Sequence, residues 1–165
     1  MMVNKLVGQH QAALLALVLL WMAPIWGYAK GVPLAQDLSL KAKAAEAQHL
    51  PIMVMFSRPN CIYCTRLLKD FLEPMQRNAK YRDKVVMLQV KSGSSIKLRD
   101  FSGGMTTHDD FARKNDVGMV PAVHFYDSRG NPLTEPLVGL PTPDYYGGFL
   151  DQRIDEALAK VRGRK

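Results

Sequence analysis

The sequence predicts an α/β fold in which a central mixed sheet is flanked by helices. Three observations carry this. Ile52 to Phe56, Val85 to Val90 and Ala122 to Tyr126 are short, continuous apolar runs of the kind that form strands buried on both faces. The stretch between the first two has helical character, so the centre of the chain reads as a strand, helix, strand unit. A cysteine pair, Cys61-Ile62-Tyr63-Cys64, stands where the first strand hands over to that helix.

The chain opens with Met1, Met2 and a single cation at Lys5. It then runs almost wholly apolar from Ala12 to Trp26 and reaches small residues at Gly27 and Ala29. This is the layout of a secretory signal peptide, with cleavage expected after Ala29. The apolar run is about 15 residues and contains Pro24, whereas a membrane span needs roughly 20. The alternative is an uncleaved anchor over residues 6–26, which would also hold the rest of the chain outside the cytoplasm. Residues 30–165 suit one domain with one core, since domains most often run roughly 100 to 150 residues. A periplasmic location follows as the expectation for both cases.

Lys and Arg number 22 against 15 Asp and Glu, a net charge of +7. The cations are scattered among acids, as in Arg66 and Lys69 with Asp70, or Arg113 and Lys114 with Asp116. Such mixing describes a solvated surface, and nucleic acid is not expected as a partner.

Leu34 to His49 carries Leu34, Leu38, Ala42 and Ala45 at helical spacing and predicts a first amphipathic helix, closed by Pro51. After the first strand, Ser57-Arg58-Pro59-Asn60 forms a loop with Asn60 as the expected N-cap. The helix that follows buries Leu67, Leu68, Phe71 and Leu72 and is expected to end at Pro74. Residues 92–105, with Gly93, Gly103 and Gly104, read as a loop or small hairpin. Thr106 to Asn115 reads as a short capped helix. Asp127-Ser128-Arg129-Gly130-Asn131 is a turn leading to a strand over Leu133 to Val138, and Pro143 to Lys160 supplies the last helix.

The chemistry rests on Cys61 and Cys64, the only cysteines. With Asn60 as N-cap, Cys61 would take the first helical position, where unpaired N–H groups and the helix dipole favour a thiolate. Cys64, three residues on, shares its face and can attack a mixed disulfide formed at Cys61. Arg58 is a candidate for lowering the thiol pKa further, or a solvated loop cation. Two other uses of such a pair are a structural disulfide and a metal site. A purely structural disulfide closing so short a loop would contribute roughly 2 kcal/mol, less than wider loops give. A zinc site would want four ligands, and His49, His108 and His124 are not spaced as a partner pair. Neither a metal nor another cofactor is expected.

Phe56-Ser57-Arg58-Pro59-Asn60-Cys61-Ile62-Tyr63-Cys64, Gly118-Met119-Val120-Pro121-Ala122 and Gly139-Leu140-Pro141 resemble the thioredoxin superfamily. So do Asp100-Phe101-Ser102-Gly103-Gly104 and Phe111 to Val117. The likeness runs from about Leu34 to Val161 and is nearest to exported bacterial thioredoxin-related proteins, including those associated with sulfur-oxidation systems. It implies a thioredoxin-like fold, with Cys61 as exposed nucleophile, Cys64 as resolving thiol and Pro121 as a cis-proline beside the sulfurs. Val120 would offer its backbone to an extended partner segment, and Ile62 and Tyr63 would flank it.

The implied activity is thiol–disulfide exchange with exported proteins that carry cysteines or disulfides. A reducing direction is favoured, with electrons from a membrane donor. A disulfide-introducing oxidase, or a binding module of an exported enzyme system, are the alternatives. The sequence departs from cytoplasmic thioredoxins at Asn60, Ile62 and Tyr63, where those have Trp, Gly and Pro. Met53, Val54 and Met55 offer no buried acid on the strand before the pair. Exported oxidases insert a helical domain before the cis-proline, and the stretch from Cys64 to Pro121 leaves no room for one.

Overall fold

The computed structural model describes residues 31–163. The expected signal peptide, residues 1–29, lies outside them. Among the described residues no helix is long and apolar enough to cross a membrane.

Helix α1, Leu38–Ala47, starts at Asp37, whose carboxylate accepts the Leu40 N–H at 2.8 Å. The helix thus begins four residues later than its apolar spacing suggested. Leu34 is spent differently: it bridges Gln89 in parallel, with Ala35 N–H donating to Gln89 O and Gln89 N–H to Pro33 O, each at 2.9 Å. The chain before α1 therefore covers a sheet edge. Periodicity cannot distinguish this use of an apolar residue from a helical one.

Strand β1, Ile52–Ser57, is buried at all six positions, as its unbroken apolar run requires. It lies between β2, Val86–Lys91, which runs parallel to it, and β5, Ala122–Tyr126, which runs antiparallel. The two-residue β6, Leu137–Val138, completes the sheet in the order β2-β1-β5-β6. The strand expected from Leu133 shrinks to these two residues: Pro132 bridges Tyr126 and Leu133 N–H still donates to Phe125 O at 2.8 Å, but Pro136, within the expected strand, has no N–H to give a ladder. The hairpin expected in the glycine-rich stretch is β3, Lys97–Arg99, paired with β4, Met105–Thr107.

Alternation along β1 divides the core. Met53 and Met55 face a cluster with Cys64, Leu67, Leu72, Tyr146 and Leu150. Ile52, Val54 and Phe56 face another with Leu38, Ala42, Phe111 and Tyr126. The first cluster is roofed by the helix after the cysteines and by α5, Pro143–Gly163. The second is roofed by α1 and α4, His108–Lys114.

The helix after the cysteines, α2, runs Ile62–Arg66, passes through a π-helical segment Leu67–Leu72 and continues as Glu73–Arg77. Pro74 does not end it, contrary to expectation. The π turn places Pro74 at the start of the last segment, where a missing N–H costs no bond. A short helix α3, Ala79–Arg82, leads to β2.

Candidate active site

The parallel and antiparallel pairings of β1 bring three loops to one end of the sheet. These follow β1, precede β5 and follow β6. The first carries the cysteines. Asn60 is not the N-cap: its φ of 57° is left-handed, a conformation Asn tolerates better than most residues, and an N-cap needs extended backbone. Cys61 takes that place, with φ −93° and ψ 102°. Its Sγ accepts the Cys64 N–H at 3.1 Å, and its carbonyl accepts the Thr65 N–H at 3.1 Å.

The sulfurs of Cys61 and Cys64 are bonded, with Cα atoms 5.2 Å apart. Their surroundings differ. Cys61 is half-buried, whereas Cys64 is buried in the cluster holding Met53, Met55 and Leu67. An incoming sulfur can therefore reach the first and not the second. Arg58 is exposed on the preceding loop. Among the described residues no group of three or more His, Cys, Asp or Glu is placed to hold a metal ion.

The Val120–Pro121 peptide bond is cis. Pro121 is buried and its carbonyl accepts the Gly139 N–H at 2.7 Å, joining the loop before β5 to the loop after β6. Together with Tyr63 they frame a groove of about 470 Å³, lined by Tyr63, Met119, Val120, Pro121, Val138, Gly139, Leu140 and Pro141. Of the expected binding residues, Tyr63, Val120 and Pro121 line this groove. Ile62 does not, and projects beside it with 76% of its surface exposed. Val138 was not anticipated, since a two-residue strand has no periodicity to read. Tyr145 and Tyr146 part company: Tyr145 is exposed, and Tyr146 is buried edge-on against Phe71.

Residues 38–154 match the Thioredoxin-like domain family. The chain belongs to that family. Cys61 and Cys64, bonded at the head of the helix after a buried strand, make it a thiol–disulfide oxidoreductase of thioredoxin-like fold. A comparison with curated protein sequences finds no match.

Among solved structures, the chain is similar to the oxidised form of mitochondrial thioredoxin 3 from Saccharomyces cerevisiae, at 14% identity and TM-score 0.46, covering 73% of this chain and 94% of that one. It is similar to the poplar thioredoxin h PtTrxh4, at 14% identity and TM-score 0.49, covering 72% and 96%. It is also similar to the oxidised C-terminal domain of Neisseria meningitidis DsbD, at 16% identity and TM-score 0.45, covering 72% and 97%.

Two buried polar residues, Ser57 and His108, make long-range hydrogen bonds that residue order does not indicate. Ser57, buried at the end of β1, accepts the Gln89 amide at 2.8 Å and so ties β1 to β2 just before the cysteine loop. His108 is fully buried, with Nδ1 accepting the Lys91 N–H at 2.9 Å and Nε2 2.8 Å from Ala35 O. Because Nδ1 faces a donor, Nε2 carries the proton and donates to Ala35. Burial, with the charge of Lys91 adding to it, holds the imidazole pKa below its ordinary value against the opposing bond to Ala35. Ser57 lies in the motif before the cysteines and His108 stands alone in the sequence, but the bonds each makes join segments far apart in the chain, so only the packed structure reveals them.

Proposed function

We propose that this chain is an exported thiol–disulfide exchange protein that keeps partner cysteines reduced. In this reading the Cys61 thiolate attacks one sulfur of a partner disulfide, forming a mixed disulfide and releasing the partner's other sulfur as thiolate. The Cys64 thiolate then attacks the Cys61 sulfur. The Cys61–Cys64 bond closes and the second partner thiolate leaves. Two electrons pass to the partner, and a membrane donor restores the dithiol.

The observation that carries this reading is the asymmetry of the pair. Cys61 sits half-exposed at the helix head with a backbone N–H aimed at its sulfur, and Cys64 is buried behind it. The groove through Val120 and Pro121 suits an extended partner segment held by main-chain hydrogen bonds, with few demands on its sequence. Exported proteins that carry cysteines, including those of sulfur-oxidation systems, are the proposed partners.

The reducing direction is supported by how few described groups are placed to stabilise the reduced form. Strong oxidants owe their potential to a highly stabilised thiolate. Here the described contacts of the Cys61 sulfur include one N–H, and Cys64 lies among methionines and leucines, which disfavour its thiolate. Export rests on the pattern of residues 1–29 and is tested by N-terminal sequencing of the protein recovered from cell fractions.

The deciding experiment is the equilibrium potential of the pair against glutathione buffers, followed by alkylation and mass. A value near −270 mV supports the reductant, and one near −120 mV an oxidase. Partner capture that survives replacement of both cysteines would favour a binding module instead.

A further inference from the structure

Met119 stands in the site with no part in the exchange chemistry. It is 63% exposed and shares the groove with Tyr63, Val120, Pro121 and Val138. Met53, Met55, Met75 and Met87 are buried in the core. Met105 is equally open, at 62%, but lies on β4 and lines no part of the groove. Met119 is thus an accessible thioether at the place where a partner segment would lie.

A thioether offers pliable apolar contact, and two-electron oxidation turns it into a polar sulfoxide. We propose that Met119 is an oxidative modification site whose sulfoxide closes the groove to protein partners while leaving the cysteine pair intact. The inference rests on the exchange reading above. The oxidant is a hydroperoxide. The Met119 sulfur takes one peroxide oxygen as the O–O bond breaks, the sulfur loses two electrons, and hydrogen peroxide is reduced to water.

The redox state of the pair decides which sulfur reacts. A reduced Cys61 would offer a thiolate, the better nucleophile, and would itself be oxidised. In the disulfide form no thiolate is present, and the exposed sulfur-bearing residue that lines the groove is Met119. The modification therefore falls on molecules waiting for electrons.

The full chain in its disulfide form is treated with hydrogen peroxide and freed of it, and sulfoxide at Met119 and Met105 is read by peptide mass. Two rates are then compared with those before treatment: dithiothreitol-driven reduction of insulin, which needs the groove, and exchange with glutathione disulfide, which needs little beyond Cys61. The insulin rate is expected to fall about five- to tenfold in proportion to Met119 sulfoxide, with the glutathione rate kept, because a polar group is being placed against apolar contacts. Met119→Leu should hold its own insulin rate through peroxide, and Met105→Leu should lose it as the unsubstituted protein does.

An unchanged insulin rate at full Met119 oxidation would overturn the proposal. So would an equal loss in Met119→Leu, or a parallel fall in both rates. Absence of exchange with either disulfide before any peroxide would overturn the exchange reading and this inference with it.

Discussion

The backbone N–H of Cys64 points at the sulfur of Cys61 over 3.1 Å, so the two residues joined by the disulfide are also joined by a capping hydrogen bond of the helix. That donor is main chain, held at the first turn of the helix. The sulfur that is half-exposed is thus also the one whose negative charge meets a donor already in place. Replacing Cys61 by Ser should reduce exchange with insulin to the uncatalysed background. Replacing Cys64 by Ser should instead leave a mixed disulfide that cannot resolve, visible as a mass adduct of the partner on Cys61. An adduct on Cys64 in the Cys61→Ser protein would reverse the two roles.

His108 gives stability a pH dependence. Burial lowers its pKa in the folded chain, so the unfolded chain binds the proton more readily. Its contribution is fully present above the unfolded value of 6.5 and is lost as pH falls below that toward the lowered folded value. His124, lowered by burial as well, acts in the same direction. Protonating His108 would set an N–H at Nδ1 against the Lys91 N–H. The urea midpoint should therefore drop between pH 7.5 and 5, and His108→Gln should show a shallower drop.

Tyr146 is buried, and its hydroxyl has no hydrogen-bond partner among the described residues. Burial pushes its pKa up to about 12, so the phenol stays neutral across the working range. Tyr146→Phe keeps the edge-on contact with Phe71 and removes a desolvated oxygen. It should stabilise the fold by about 1 kcal/mol in urea unfolding. A loss of similar size would reveal a partner for the hydroxyl.

Gly130 sits in the turn between β5 and β6 with φ 84°, and a Cβ there would lie 2.7 Å from the Phe101 ring. The Asp127 carboxylate holds the turn by accepting the Arg129 and Asn131 N–H groups, each at 2.9 Å. Gly130→Ala should cost about 1–3 kcal/mol, because both backbone and contact are strained. Its exchange rate, measured where the protein remains folded, should change less than its urea midpoint, since the turn is at the end of the sheet away from the cysteines.

Much of this was legible from residue order. The unbroken apolar run Ile52 to Phe56 named the central strand, and Ala122 to Tyr126 its neighbour with the observed limits. After β2 the glycines allowed a loop or a small hairpin, and the structure has the hairpin; the capped helix expected from Thr106 starts at His108, because Thr106 and Thr107 are paired in β4. Where the reading slipped, a long-range partner had overridden a local signal. Leu34 has helical spacing from Leu38 but pairs with Gln89; Pro74 should end a helix but follows a π turn; Asn60 is a good N-cap by type but lies left-handed beside Cys61.

By itself, the sequence determined the chemistry: two cysteines at the spacing of one helical turn, at the start of a helix, after a strand too apolar to lie anywhere but inside. Those are local properties of side chains and backbone, and they survive without knowledge of neighbours. The tertiary structure alone decided that Met119 and Val138 share a groove with Tyr63, and that His108 fastens the chain before α1 to the edge of β2. Each of these depends on residues far apart in the chain being brought together by strand pairing, and exposure is a property of the packed surface that no single stretch encodes.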